Sequence, residues 1–169
     1  MKAADGRYVL GAYLAAAAAA ALTVRLADLR ILATTAAADL VATAVVFAAA
    51  VRANNSSVYD PYWSVAPPVI AAYWLLSGSG AGLAHTVLFL VILVWGVRLT
   101  VNWATRWTGL DDEDWRYREF RSRSGRLYWL VSFAAIHLFP TVAVLCGMLP
   151  VFFAFQPPGS GPSAEHPAA

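Results

Sequence analysis

Long apolar stretches without charged side chains restrict the fold of this chain more than any other feature. They lie at about residues 8–24, 31–51, 65–77, 82–104 and 128–155. Most approach the ~20 residues that a helix needs to cross a bilayer. Only 13% of the residues are charged, compared with about 25% in soluble domains. The sequence therefore predicts an all-α fold, a polytopic transmembrane helix bundle of about five helices within residues 1–155.

The third stretch is the least regular, because it is short and contains Pro67 and Pro68. A proline inside a helix removes a backbone hydrogen bond. We therefore predict a tilted or re-entrant segment at 65–77 as the alternative to a full crossing.

Cationic residues predict the orientation of the bundle, because cytoplasmic loops carry an excess of Lys and Arg. If the N-terminus is cytoplasmic, only Arg25 and Arg30 lie outside. The other cationic residues lie inside: Lys2, Arg7, Arg52, Arg98, Arg106, Arg116, Arg118, Arg121, Arg123 and Arg126. The Ala-rich, Arg-rich and Lys-poor composition suggests a GC-rich bacterial genome. We therefore expect a multi-pass protein of the inner (plasma) membrane with a cytoplasmic N-terminus.

The longest polar loop, 105–127, should be cytoplasmic. Acids and arginines alternate in it, which predicts a self-pairing amphipathic helix. Because hydrophobic stretches flank this basic loop, we expect no nucleic-acid partner. The arginines compete for Asp111–Asp114, so we predict no metal site. The Pro-, Gly- and Ser-rich residues 156–169 predict a disordered tail.

Asp39 lies near the middle of the second stretch. An ionised carboxylate there costs about 2.5–3.5 kcal/mol on insertion scales. It therefore needs a proton or a partner on another helix, and Arg98, Asn102 and His137 are the candidates. The residue is either a catalytic candidate or part of an interhelical hydrogen bond that holds the bundle together.

Two tyrosines flank Asp60 in the segment SVYDPYWSVAPP, residues 57–68. A phenol held beside a carboxylate can donate a proton in catalysis, which makes Tyr59 and Tyr62 catalytic candidates. An aromatic turn at the membrane interface is the alternative.

His137 lies three residues before Pro140 within the last stretch. An ionisable residue inside the membrane is a functional candidate by default, so His137 joins the catalytic candidates. Alternatively, a neutral imidazole bonds the backbone carbonyl that Pro140 leaves free.

A polar face on the fourth stretch contains Arg98 and Asn102 at helical spacing. Such a face suits an anionic head group or a cofactor phosphate. Arg98 could instead reach the interface, whereas the shorter Asn102 should find partners inside the bundle.

Four segments together, SVYDPYWSVAPP, WGVRLTVNWATRW, DEDWRYREFR and SFAAIHLFPT, resemble in order and spacing a bacterial membrane family of uncharacterised function that is related to the steroid 5-alpha-reductases. The resemblance covers about residues 30–152. It implies NADPH-dependent reduction of a carbon–carbon double bond in a lipid-like substrate. Arg98, Asn102, Arg116 and Arg118 are the residues that could then contact the cofactor.

Family members also carry an Arg, His-Pro-Asn and Tyr block that contacts the nucleotide, and this chain has none. It resembles the N-terminal portion of a family member, so we expect it to bind NADPH weakly by itself. Two hypotheses follow. The chain is either the substrate-side part of a reductase, completed by a C-terminal half or by a second copy, or a non-catalytic membrane scaffold or lipid-binding protein.

Overall fold

The computed structural model describes residues 3–77 and 82–156. Its helices are α1 (Ala3–Leu26), α2 (Ile31–Ala53), α3 (Tyr62–Ser77), α4 (Leu83–Arg106), α5 (Trp115–Ser124), α6 (Tyr128–Val131) and α7 (Phe139–Ala154). Two 3-10 turns, Ser56–Tyr59 and Gly125–Leu127, and a π-helix, Ser132–Leu138, complete the path. These residues contain no strand, and the predicted all-α fold is confirmed. The predicted disordered tail lies outside the described residues, except for Gln156.

Four helical segments of the described chain are long and apolar enough to span a membrane: α1, α2, α4 and the continuous stretch Trp115–Ala154. The third predicted span corresponds to α3, which has 16 residues and is about 24 Å long. This is shorter than the ~30 Å hydrocarbon core of a typical bilayer. The chain is therefore a membrane-type helical protein.

The polar loops gather at one end of the bundle. The backbone N–H of Leu110 donates to the Asp5 carboxylate at 3.1 Å, and the Asn55 amide donates to the Leu110 carbonyl at 2.9 Å. These bonds bring together the start of α1, the end of α2 and the end of α4. The N-terminus and both polar loops therefore share one end, as the cation pattern requires. We call it the loop end.

Helices α3 and α4 form an antiparallel pair whose closest approach is at Gly96. A Cβ on Gly96 would lie 2.5 Å from the Ser64 carbonyl oxygen and 2.5 Å from Cγ of Pro68. Pro68 has no N–H to donate to the Ser64 carbonyl, so the helix is locally open where α4 packs against it. Only a glycine fits here, and this seam fixes the position of α4.

Two clusters of buried residues hold the remaining helices together. At the loop end, α1, α2 and the first 3-10 turn pack around Val46, Ala50 and Val58, each 0% exposed. Toward the opposite end, Trp74 on α3 packs against Phe152 on α7. The polar side chains described next lie between α2, α3 and α7.

Candidate functional site

An apolar cavity of about 370 Å³ lies between α1, α2 and α3. Its lining is dominated by small and apolar side chains, with few polar ones: Tyr13, Ala16, Ala17, Ala20, Ala21, Val24, Arg25, Thr35, Ala38, Asp39, Ala42, Tyr62, Val65, Ala66, Val69, Ile70 and Tyr73. Ala17 and Ala21 are exposed at the surface of the bundle. The cavity is therefore open sideways, toward the lipid if the bundle spans a membrane.

Asp39 and Tyr62 form a buried hydrogen-bonded pair in the cavity wall, and each is 6% exposed. The Tyr62 hydroxyl donates to Oδ1 of Asp39 at 2.7 Å and lies 3.1 Å from the Asp39 backbone carbonyl. The expected partners Arg98, Asn102 and His137 do not bond Asp39. The prediction of a partner on another helix was right, but the partner was wrong, because α4 packs on α3 and holds Arg98 and Asn102 away from α2.

The threonines one helical turn before and after Asp39 also face the interior. Thr35 Oγ1 accepts from the Trp74 indole N–H at 2.8 Å. Thr43 bonds Thr141 on α7 at 2.9 Å. The polar face of α2 therefore consists of three side chains, two bonded to α3 and one bonded to α7.

Tyr59 lies behind Tyr62, and their rings stack with centroids 5.1 Å apart. The Tyr59 hydroxyl bonds Thr141 at 2.8 Å. Burial raises the pKa of Tyr59 to about 12, so the phenol keeps its proton at neutral pH. Tyr59 does not line the apolar cavity but lines the groove on the other side of this aromatic layer.

His137 is fully buried in the π-helix beside Tyr59, with ring centroids 4.7 Å apart. Its Nδ1 bonds the Ser132 carbonyl at 3.0 Å, and not the Ile136 carbonyl, to which Pro140 has no N–H to donate. The bond to a backbone carbonyl was predicted, but the acceptor is a different one. Nε2 has no hydrogen-bond partner in the described part of the chain. The four catalytic candidates thus lie together, but only Asp39 and Tyr62 reach the cavity.

A polar groove of about 750 Å³ lies at the loop end between α4, α7 and the loops. Five Trp and Tyr residues line it together with charged, polar and apolar ones: Tyr59, Trp63, Trp103, Trp107 and Tyr117; Asp60, Asp112, Asp114, Arg106 and Arg116; Ser57, Ser64, Asn102 and Thr108; Leu99, Ile136, Phe139, Pro140, Ala143 and Val144. No residue lines both the groove and the cavity.

Two of the distinctive sequence segments meet in this groove. The Tyr117 hydroxyl donates to Oδ1 of Asp60 at 2.6 Å. Burial raises the pKa of Asp60 to about 6, against the opposing effect of hydrogen bonds from Tyr117 and Ser57. Asp60 makes no salt bridge among the described residues, so it is a half-buried carboxylate held by hydroxyl groups.

The predicted pairing of charges in loop 105–127 is confirmed. Arg116 bonds Asp114 through both carboxylate oxygens at 2.9 Å, and these bonds lower the pKa of Asp114. Further pairs join Arg121 to Glu113 at 3.2 Å, Arg123 to Glu119 at 2.7 Å and Arg118 to Asp112 at 3.6 Å. Most of the loop charges therefore neutralise one another on or around α5.

Of the four cofactor candidates, the groove brings together only Asn102 and Arg116. Arg98 is exposed on α4 outside the groove, and Arg118 is exposed beside Asp112. Asn102 was expected to bond inside the bundle. It is instead exposed, and its side chain makes no hydrogen bond within residues 3–77 and 82–156.

These residues do not fit NADPH. The cofactor carries a pyrophosphate and a further phosphate, which Arg-rich sites bind with paired hydrogen bonds. The groove offers two guanidinium groups against three carboxylates, and the guanidinium of Arg116 is already bound to Asp114. We find no arrangement here that compensates the cofactor's charge.

Helices of membrane-spanning length, an apolar side cavity and a polar groove at one end define a multi-pass membrane protein. Its residues 46–165 match the model of a family described as a protein of unknown function, DUF1295. The chain belongs to this family. The match includes the groove, Tyr59, Tyr62 and His137, whereas Asp39 and helix α1 precede it. No curated protein and no solved structure matches the chain.

Sequence reasoning missed the alanines of the cavity. Residues 15–21 are seven consecutive alanines, of which Ala16, Ala17, Ala20 and Ala21 line the cavity, and Ala38 and Ala42 line it from α2. Facing stretches of small side chains on neighbouring helices were the available signal, because methyl groups leave unfilled the volume that Leu or Phe would occupy.

Proposed function

We propose that this protein binds a lipid-like molecule that carries a single carbonyl or hydroxyl oxygen, with its apolar body in the cavity between α1, α2 and α3. The hydrogen-bonded Asp39–Tyr62 pair carries the proposal, because it is a polar pair in a wall otherwise dominated by alanine and aliphatic side chains. A volume of about 370 Å³ falls within the range of small-molecule sites, which are mostly apolar with a few placed polar groups.

Two of the other hydroxyl groups of the cavity, those of Tyr13 and Thr35, already donate to backbone carbonyls. Tyr13 donates to the Val58 carbonyl at 3.2 Å, and Thr35 donates to the Ile31 carbonyl at 2.8 Å. When Asp39 is the neutral acid, it can donate to Tyr62, and the Tyr62 proton is then free for the oxygen of a ligand. Tyr62 and Asp39 therefore fix the end of the ligand that carries the oxygen.

Reduction of such a ligand is the second candidate function. The resemblance to the steroid 5-alpha-reductases supports it, together with the Asp39–Tyr62 pair, since a hydroxyl that donates to a carbonyl polarises an adjacent double bond. The excess of carboxylates over free guanidinium groups in the groove disfavours NADPH binding by the described residues. We therefore propose that this chain holds the substrate and binds NADPH weakly by itself.

Binding of a tritiated 3-keto steroid enone to the purified chain in nanodiscs tests the proposal. Ala17 and Ala18 are neighbours on α1 and both are exposed, but only Ala17 lines the cavity. We expect Ala17→Leu to weaken binding about 10-fold or more, by occupying the cavity, and Ala18→Leu to leave it unchanged. Equal effects of the two variants, or no saturable binding to the wild type, would refute the proposal.

Calorimetry with NADPH tests the proposal that the chain binds this cofactor weakly by itself. We expect no binding at micromolar concentrations, and a Kd of about 1 μM, worth about −8 kcal/mol, would make the chain a cofactor-binding enzyme in its own right. Enone binding together with tight NADPH binding would support reduction, whereas enone binding alone supports the binding function.

We also propose that the loop end faces the cytoplasm of a bacterial cell, as the cation pattern favours. After Cys146→Ser, a cysteine in place of Arg118 should resist a membrane-impermeant maleimide added to whole cells. Rapid labelling would reverse the orientation.

A further inference from the structure

We propose that the polar groove binds a phospholipid whose head group carries an amine, with the ammonium beside Asp60 and one acyl chain between α4 and α7. The groove shares no lining residue with the apolar cavity. The inference therefore does not depend on the proposed function.

The lining of the groove changes from polar to apolar along its length. Charged residues line it at the loop end, where the polar loops gather, whereas Leu99 on α4 and Ala143 and Val144 on α7 line it within the two spanning segments. A ligand that fills the whole groove therefore has one charged and one hydrocarbon part. A membrane lipid has this division, with its head group at the level where tryptophan and tyrosine concentrate.

The charge of the groove selects the head group. Three carboxylates face two guanidinium groups, and Arg116 is bound to Asp114 through two bonds. A purely anionic head group would add negative charge beside Asp60 and Asp112. A zwitterionic head group brings an ammonium for Asp60 and leaves its phosphate within reach of Arg106 and Asn102.

The aromatic lining also favours an ammonium group. Trp103 and Trp107 stack at 5.0 Å between centroids, and Trp63, Tyr59 and Tyr117 complete a set of five rings. Cations bind to the faces of such rings, and tryptophan binds them best. Asp60 supplies the opposite charge, with no salt bridge of its own among the described residues.

Two unsatisfied donors at the same place are consistent with an occupant. The indole N–H groups of Trp103 and Trp107 are buried without an acceptor in the described part of the chain. Buried donors in native proteins nearly always have a partner from protein, water or ligand. The ester and phosphate oxygens of a lipid would supply acceptors beside these rings after a small ring rotation.

Native mass spectrometry of the full chain in detergent tests the proposal. Phosphatidylethanolamine, phosphatidylcholine and phosphatidylglycerol with identical acyl chains would be titrated separately. We expect both amine-bearing lipids to bind about 10-fold more tightly than phosphatidylglycerol. Tighter binding of phosphatidylethanolamine would show that the hydrogen bond to Asp60 dominates. Tighter binding of phosphatidylcholine would show that the contact with the aromatic rings dominates.

Asp60→Asn keeps the acceptor for Tyr117 but removes the charge, so it should reduce the preference for amine-bearing lipids to within about 2-fold. Glu119→Gln is the matched control, because Glu119 is exposed and pairs with Arg123 outside the groove. It should leave the preference unchanged. Ala143→Phe should weaken all three lipids equally by blocking the hydrocarbon part.

Three outcomes would overturn the inference. They are phosphatidylglycerol binding as tightly as the amine-bearing lipids, a preference that survives Asp60→Asn, and displacement of the bound lipid by NADPH at equimolar concentration. The last would identify the groove as a nucleotide site.

Discussion

The apolar cavity and the polar groove, separated by the stacked rings of Tyr59 and Tyr62, differ in how their polar groups are arranged. In the cavity a single polar pair, Asp39 and Tyr62, stands out against a wall of mainly small side chains. In the groove, numerous charges are largely neutralised by one another, and Asp60 is the carboxylate left without a cation among the described residues. A hydrogen-bonded pair among apolar side chains therefore marks the cavity, whereas a carboxylate without a salt bridge among paired charges marks the groove.

The seam between α3 and α4 allows the two sites to be separated by mutation. Gly96→Leu would place side-chain atoms against the Ser64 carbonyl and Pro68, and we expect it to destabilise the protein by about 3 kcal/mol. Because α4 lines the groove but not the cavity, lipid selectivity should be lost while enone binding is retained. SDS titration and the two binding assays measure this, and an equal loss at both sites would show that the sites are coupled.

The raised pKa of Asp60 predicts that the stability of the protein depends on pH through the groove. Burial raises its pKa from 3.8 to about 6 in the folded protein. Its stabilising contribution is therefore complete below about pH 4 and lost as the pH rises through about 6.

Asp60→Asn should thus gain stability relative to the wild type between pH 4 and pH 8, by at most about 3 kcal/mol. SDS titration of both chains in lipid-free detergent measures the difference. Parallel curves across this range would contradict the placement of Asp60 as a half-buried carboxylate without a cation.

Asp39→Leu should separate ligand recognition from the packing of the cavity wall. Tyr62 can keep its bond to the backbone carbonyl of residue 39, which lies 3.1 Å from the Tyr62 hydroxyl in the wild type. The variant places no carboxylate in the membrane. We expect the free energy of unfolding to change by less than about 1 kcal/mol, while enone binding falls about 10-fold. If the variant unfolds instead, Asp39 holds the helices together and has no role in recognition.

Arg116→Gln should have the smallest effect of these changes. The Arg116 and Asp114 side chains are 59% and 24% exposed, and surface ion pairs of this kind contribute below about 1 kcal/mol. Thermal unfolding should shift little, and enone binding should not change. A large loss of stability would mean that the pair orders the loop end.

Much of the fold was predictable, because helices of spanning length and the distribution of cations are properties of the sequence alone. The pairing within 105–127 followed from residue spacing in the same way. The position of α4 was not predictable, since it depends on the contact of Gly96 with a carbonyl that Pro68 leaves free. That contact decides that Arg98 and Asn102 lie away from Asp39.

The sequence named four catalytic candidates but did not predict that Asp39 and Tyr62 line the cavity, that Tyr59 lines the groove and that His137 lines neither. The stacking of Tyr59 on Tyr62 turns one hydroxyl toward Thr141 and the other toward Asp39. A three-residue spacing does not determine these directions when a 3-10 turn and a helix meet between them.

Photocrosslinking with a steroid enone that carries a diazirine on its apolar body tests the central claim most directly. After irradiation of the full chain in nanodiscs and peptide mass spectrometry, we expect labels on the cavity faces of α1 and α3, near Ala17, Ala20 and Val65, and their loss with an excess of unlabelled enone. Labels on the groove residues Leu99, Ala143 and Val144 instead of the cavity residues, lost with an excess of unlabelled enone, would contradict the account.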